Sequence, residues 1–357
     1  MAKVINLSDD AGTTQYPLPG SEGSFSSEAE AIDDTVLGQT FQSNEIGLVG
    51  WSVSSNGIFK GFAGYVADIM KFGTPTGFTD EAMTLVAGTT ATYQIDDPTM
   101  EVWDRSVATT FEDGAVPIPV GDIVSVDYLF GRVTLTGVAG GAVTAASGSY
   151  LVRETIGRAN TYNLTMTAES IDESDFATVQ ANSGTRVFIP GLRTVALELG
   201  GIFYSTDSAK AELAARAEVI IEVDPAGDGL AVCRGFFKYS NVGQSGSVGA
   251  LEEETINLQL TVPVANATNV FGVDTPFNWA FDATSTLSTA IQVAITSWLT
   301  EDNTVEVQYL PEGAIGQSPL DGVEGTVLFT DISLSGGLSN MNTFVMEMQG
   351  TDAFTVV

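Results

Sequence analysis

The sequence predicts a mostly β fold: two sandwich or half-barrel units, each with one flanking α-helix, plus a small β-rich insertion. Three observations carry this. The first is an imperfect repeat. Ala29-Glu30-Ala31-Ile32-Asp33-Asp34, then Gly47-Leu48-Val49-Gly50-Trp51-Ser52-Val53 and Gly57-Ile58-Phe59, return as Ala168-Glu169-Ser170-Ile171-Asp172-Glu173, then Gly191-Leu192-Arg193-Thr194-Val195-Ala196-Leu197 and Gly201-Ile202-Phe203. Self-similarity of this kind marks a duplicated unit. The second is another echo, between residues 237–260 and 329–349, each a strand, a Ser/Gly turn and an alternating strand. The third is a period of two in short segments bounded by Gly, Asn or Pro, the mark of strands with one wet face.

The elements follow in order. Residues 1–23 are polar, carry Asp9, Asp10, Pro17 and Pro19, and read as an extended arm that orders on a neighbour. Val124, Val126 and Tyr128 alternate with Ser125 and Asp127, and Val133, Thr134 and Leu135 follow the turn at Gly131, which predicts a hairpin. The same alternation marks Ile256-Asn257-Leu258-Gln259-Leu260, Val305-Glu306-Val307-Gln308-Tyr309 and Phe344-Val345-Met346-Glu347-Met348. Two helices are predicted. The first spans residues 208–217 behind a cap at Thr206 or Asp207. The second is set by Leu287, Ile291, Ala294, Ile295 and Trp298, which form one apolar stripe that should lie across a sheet. Three strands follow each helix: 218–223, 231–241 and 255–262 in one case, 304–310, 325–335 and 343–350 in the other.

The copy beginning near Asn160 runs directly into its helix and closing strands, whereas the copy beginning near Ser24 is interrupted. The expected organisation is therefore an arm at 1–23, a discontinuous unit from 24–72 and 275–357, an inserted β-rich domain at 73–149, a continuous unit at 150–263 and a linker at 264–274. Three tandem, separately folding thirds are the alternative.

With 357 residues, 44% of them hydrophobic and 16% charged, the chain can bury a core. Its 45 acidic and 13 basic residues give a formal charge of −32, the wrong sign for holding a phosphate backbone. One cysteine forms no internal disulfide, and no charged segment followed by an apolar stretch reads as a secretory signal. The nearest approach to a membrane segment, residues 138–146, is short and Gly-rich against the roughly 20 apolar residues a span requires. Synthesis in the cytoplasm without a membrane anchor is expected.

Histidine is absent, which removes the usual general base near neutral pH and the usual zinc ligand. Cys233 sits in an apolar alternating stretch and reads as a buried thiol rather than a nucleophile. The pairs Asp33/Asp34, Asp96/Asp97 and Asp172/Glu173 place adjacent acids on opposite faces of a strand, without the convergence of a hydrolytic pair, so turn or solvent roles are expected. Asp172, Glu173 and Asp175, and Asp224, Asp228 and Gly229, are oxygen-rich, yet neither group has the ligand spacing of a calcium loop, and both read as solvated turns. Gly243, Gly246 and Gly249 have the wrong spacing for a dinucleotide fingerprint and read as a long turn. Asn163 and Asn266 open glycosylation-type tripeptides that carry little weight. No catalytic, cofactor-binding or metal-ligating residue is expected, and no enzyme.

The block 168–203, the helix after Asp207 and the strands at 235–262 resemble the tail tube proteins of long-tailed, siphovirus-like bacteriophages. So do Asp321-Gly322-Val323-Glu324-Gly325-Thr326-Val327, Ile332-Ser333-Leu334-Ser335-Gly336-Gly337, Met341-Asn342-Thr343-Phe344 and Met348-Gln349-Gly350-Thr351, and in the middle piece Thr92-Tyr93-Gln94-Ile95-Asp96-Asp97-Pro98, Val102-Trp103-Asp104, Val126-Asp127-Tyr128 and Gly131-Arg132-Val133-Thr134. The resemblance implies β-sandwiches whose sheets join between subunits into a barrel lining a channel, with rings stacked through a long hairpin loop and a terminal arm. A chain with two units is similar to duplicated members, whose threefold rings have pseudo-sixfold lumens; a hexamer is the alternative. It also implies a virion tail location and contacts with other tail proteins, with DNA passing unbound.

Charge fits such a conduit, since an acidic wall repels phosphate. Two unit charges 10 Å apart in water interact by only about 0.4 kcal/mol, and salt screens over roughly 8 Å, so many acids must act together. The bland reading places the excess acid outside, for solubility or high salt, and the two are compatible. Ring contacts are expected at 33–45, 172–186 and the 1–23 arm, where ordinary surface loops are an equal reading. The competing function is a β-sandwich binding or adhesion module displayed on a virion or cell surface. That role calls for an aromatic-lined pocket, which the scattered Trp51, Trp103, Trp279 and Trp298 do not suggest. A hydrolase would need a site that the sequence does not offer.

Overall fold

A computed structural model describes residues 4–8, 14–33, 44–60, 68–136, 143–156, 158–181, 184–202, 209–247, 252–263, 275–282, 284–300, 303–311, 322–337 and 340–356. Among the described residues the fold is mostly antiparallel β, as the alternating pattern predicts, with three α-helices where two are predicted. The strands are β1 (Val4–Ser8), β2 (Gln15–Pro17), β3 (Gly20–Asp33), β4 (Asn44–Lys60), β5 (Asp68–Leu85), β6 (Thr92–Ile95), β7 (Thr110–Asp113), β8 (Val116–Pro117), β9 (Ile123–Asp127), β10 (Arg132–Leu135), β11 (Ala145–Thr155), β12 (Arg158–Asp172), β13 (Phe188–Ile202), β14 (Glu218–Asp224), β15 (Ala231–Ser245), β16 (Glu253–Leu260), β17 (Phe277–Phe281), β18 (Thr304–Leu310), β19 (Val323–Gly337), β20 (Asn340–Gly350) and β21 (Thr355–Val356). The helices are α1 (Phe176–Ala181), α2 (Ala209–Ala215) and α3 (Thr289–Leu299).

The chain divides into two compact units, Met1–Val66 with Tyr162–Leu197 and Ala283–Val357, and Ala67–Thr161 with Glu198–Asp282. Strands β12 and β13 contribute residues to both.

In the first unit the sheet runs β2, β1, β18, β19, β20, β4, β3. Helix α3 lies on β1, β18 and β19. Ile291, Ala294, Ile295 and Trp298 are all buried, at the spacing the sequence predicts, and Leu287 is buried just before the helix. Residues Val4–Ser8, inside the stretch read as an arm, form β1, with Leu7 0% exposed and Val4 opposite Leu310. No alternation announces this strand because it is buried along nearly its whole length. Even Asn6 is inside, its Nδ2 donating to Gln308 Oε1 at 3.2 Å. A buried amide is tolerated only with such a partner.

The second unit repeats the plan: β5, β14, β15 and β16 pair in order, β13 pairs with β16, and α2 packs on β15. The three closing strands follow their helix as predicted. The expected caps Thr206 and Asp207 and the linker 264–274 lie outside the described residues. The hairpin predicted from Val126 and Val133 is β9–β10, with those two residues opposite each other. Trp103, Phe111, Leu129, Phe130 and Val133 form one apolar cluster with Phe72, Ile220 and Phe236, so the side chains of 73–149 share a core with β14 and β15.

Candidate functional site

Each long hairpin is amphipathic by its period of two. In the first unit the strands β3, β4, β20, β19 and β12 carry one continuous wet face. A transverse row can be followed across it: Glu22 opposite Asn56, Asn56 opposite Val345, Val345 opposite Ser333, and the Ser333 hydroxyl donating to Thr165 at 3.4 Å. The next row holds Ser24, Ser54, Glu347 and Asp331, with Ser24 and Ser54 hydroxyls 2.7 Å apart. On the opposite face Val53, Met348 and Phe329 are buried.

Among the described side chains, the acidic groups on the wet face are Glu22, Glu28, Glu169 and Glu347, all exposed, and Asp331, half-buried. Partial burial pushes the Asp331 carboxyl above its ordinary value, the Ser333 hydroxyl at 2.7 Å opposes that, and the facing Glu347 charge adds to it. Of the two arginines described in this unit, Arg186 sits at the Glu28 end of this face, where a Cβ on Gly50 would meet its side chain at 3.9 Å, and Arg193 lies behind the sheet. Arg193 crosses to the core side, where its guanidinium sits 5.7 Å from the Trp298 ring centre and donates to the last carbonyls of α3, at Leu299 and Thr300. Arg186 faces Glu30 at 3.5 Å and Asp172 at 3.8 Å, lining a cleft of about 550 Å³ with Glu28, Trp51 and Gln349.

The sheet edges are unequal. The outer half of β19 pairs with β20 on one side and β12 on the other. Strand β3 pairs with β4 alone, and β15 beyond Lys238 with β16 alone, among the described residues. An edge with one side unpaired presents a row of backbone donors and acceptors to another strand.

The second unit holds the buried charges. Arg234 donates Nε to Glu222 at 2.7 Å and Nη1 to Glu101 at 2.8 Å and to the Leu129 carbonyl at 2.9 Å. Its guanidinium lies 4.7 Å from the Phe130 ring centre, and Arg153 caps the other Glu222 oxygen. Every acid and base in this knot is matched to a partner, which is how a dry interior tolerates charge.

The carboxylates singled out in the sequence are taken up by local backbone. Asp97 accepts from Thr99 N and Oγ1 at 2.8 and 2.7 Å and opens a 3-10 turn; these bonds hold its carboxyl below the ordinary range. Asp172 accepts from Ser174 N at 2.9 Å and is likewise lowered. Asp175 caps α1 through Ala177 N, and α1 occupies part of the 172–186 segment expected as a loop. Asp224 is buried and raised by that burial, yet accepts from Gly227 N and Gly229 N at 2.6 Å. Gly229, with φ +71°, supplies the turn those bonds need. Asp228 accepts from Leu230 N at 3.0 Å, so the 224–229 acids serve one turn. Among the described residues no three acidic or thiol groups converge as a metal site. Cys233 is 1% exposed, opposite Trp279, and burial pushes its thiol well up. Gly243 lies in β15 and Asn163 in β12; Asp34, most of 33–45, Gly249 and Asn266 lie outside the described residues. Sequence reasoning missed the Arg234 knot and the one-sided edges, which have no local signal. No described helix is long and apolar enough to cross a membrane.

No protein-family model and no curated protein matches the chain. Among solved structures it is similar to a chain in the virion of a native gene transfer agent particle, at 18% identity and a TM-score of 0.28, covering 30% of this chain and 84% of that one. It is similar at the same identity and TM-score to a chain in the tail of an empty gene transfer agent particle refined with C6 symmetry, covering 37% of this chain and 87% of that one.

Proposed function

We propose that this protein is a structural subunit of a viral tail tube. Copies associate through shared sheet edges into stacked rings that enclose a negatively lined channel for DNA. Rings of three chains, each contributing two units to a pseudo-sixfold bore, suit the duplicated plan; hexamers are the runner-up. The observation that carries the reading is the wet face of β3, β4, β20, β19 and β12, where hydroxyls and amides alternate with Glu28, Asp331, Glu347 and Glu169. The described carboxylates of such a wall outnumber its one described cation, Arg186, which is itself paired with Glu30 and Asp172, so DNA slides past with little of the counterion release that drives binding. The role is non-enzymatic, with the virion tail as location, synthesis in the host cytoplasm, and other tail proteins as further partners. Residues 33–45 and 172–186 are the proposed stacking contacts; the amino-terminal segment is not, since Val4–Ser8 is spent inside its own sheet.

A displayed binding module fits less well. Trp51, Trp103, Trp279 and Trp298 are all at most 5% exposed, so none offers a stacking platform for a sugar or peptide. Negative-stain microscopy of the purified protein is the test, with annular rings or hollow tubes expected. A monodisperse monomer at every concentration and ionic strength would remove the proposal.

A further inference from the structure

The chain contains one strand-edge joint twice, once filled and once open. In the filled copy the outer half of β12 lies along β19: Thr165 meets Ser333, and a methyl on Gly336 would touch the Tyr162 ring at 3.0 Å. The first sequence echo aligns Ala168 with Ala29, which makes Ser26 the counterpart of Thr165. Ser240 and Thr330 are each the extra residue where pairing to the next strand shifts, which makes Gly243 the counterpart of Ser333. The open copy of the joint is therefore β3 on one side and the outer half of β15 on the other.

Burial follows the same split. In the filled joint Leu164, Met166 and Leu334 are 0% exposed. Their counterparts Phe25, Ser27 and Gln244 are half-buried, exposed and exposed, and a Cβ built on Gly243 meets nothing within 4 Å. The substitutions point the same way. The covered joint carries leucine and methionine, while in the open copy two of the three counterparts are polar, Ser27 and Gln244, the latter held by Lys210 and Glu254, and Phe25 packs inward on Trp51 and Phe354.

We propose that β3 of one copy pairs antiparallel with the outer half of β15 of a second copy, with Ser26 opposite Gly243, in the register that Thr165 and Ser333 take within the chain. The occupant is a second copy because both halves of the joint exist in each chain and, among the described strands, only β4 pairs with β3 and only β16 with the outer half of β15. This names the contact by which the proposed tube subunit would close its ring, and to that extent rests on that reading.

Single-cysteine variants S26C and G243C, mixed and treated with a short bismaleimide, test it. A covalent dimer is expected from the mixture, and at least tenfold less product from S27C with G243C, since Ser27 points to the other face of its strand. The doubly substituted S26C/G243C chain should give a ladder ending at the ring number. Cys233 is buried and does not compete. Cross-linking without rings or tubes under the microscope would support the joint and overturn the tube. Rings or tubes without cross-linking would overturn the joint and leave the tube standing, and a monomer that yields no dimer would overturn both.

Discussion

Ser240 and Thr330 occupy the same place in two copies of one irregularity. Each is the extra residue where pairing with the next strand shifts, and each returns its hydroxyl across the gap, Ser240 to the Asn257 carbonyl at 3.0 Å and Thr330 to the Glu347 carbonyl at 3.1 Å. A bulge leaves a backbone carbonyl without its regular partner, and a short hydroxyl side chain supplies one. The two units share their packing down to this bond. Ser240→Ala and Thr330→Val should each lower stability by about 0.5–1.5 kcal/mol, read as a shifted urea midpoint with unchanged slope. No change in either would mean that water serves the carbonyl equally well.

Arg234 ties residues far apart in sequence, Glu101, Leu129 and Glu222, into one buried knot. Arg234→Met keeps much of the volume and leaves Glu222, 2% exposed, with Arg153 alone. Breaking one side of a buried pair costs about 3–5 kcal/mol, so thermal denaturation should show a large drop in Tm. The double variant Arg234→Met with Glu222→Gln should recover part of it. A single variant as stable as the parent would deny the knot its role.

Asp331 shows the pH sign. Its carboxyl is raised in the folded state, chiefly by burial, so the folded chain holds the proton more tightly than the unfolded one. Ionised Asp331 therefore opposes folding above its folded value, and that penalty fades as pH falls toward the unfolded value. Asp331→Asn is expected to melt higher than the parent at pH 7, with the difference closing near about pH 4. A variant that melts lower at pH 7 would show that the Ser333 bond outweighs burial.

Ile291 and Leu287 seat α3 on its sheet, at 0% and 2% exposure. Ile291→Asp or Leu287→Asp would place an unpaired carboxylate in an apolar contact. Both variants should be recovered insoluble or unfolded, by solubility and circular dichroism. Ile291→Val should cost only about 0.5–1.5 kcal/mol.

Trp51 fills the space above two glycines. Its ring lies against Gly325 and Gly350, and its Nε1 donates to the Asp352 carbonyl at 2.6 Å. A methyl on Gly350 would overlap the indole, so Gly350→Ala should cost about 1–3 kcal/mol through overpacking. The accompanying signal is a changed tryptophan fluorescence maximum. An unmoved spectrum with parental stability would contradict this packing.

The sequence by itself determined the elements that advertise a period or a repeat. Helix α3 was legible because Ile291, Ala294, Ile295 and Trp298 share one stripe with Leu287 just ahead of it, and the twin hairpins because Ala29 and Ala168 open matching runs. The closing strands were legible because one side of each is wet. Strand β1 was not legible, since a strand buried on both faces loses its alternation and Asn6 mimics a surface residue. Helix α1 is six residues long, too short for a stripe. Tertiary structure alone decided which edge meets which, that Arg234 would find Glu101 and Glu222, and that Thr165 would face Ser333. The reason is physical. Periodicity records which side of an element is dry, whereas edge pairing and buried ion pairs join residues through backbone groups and distances that carry no local sequence mark.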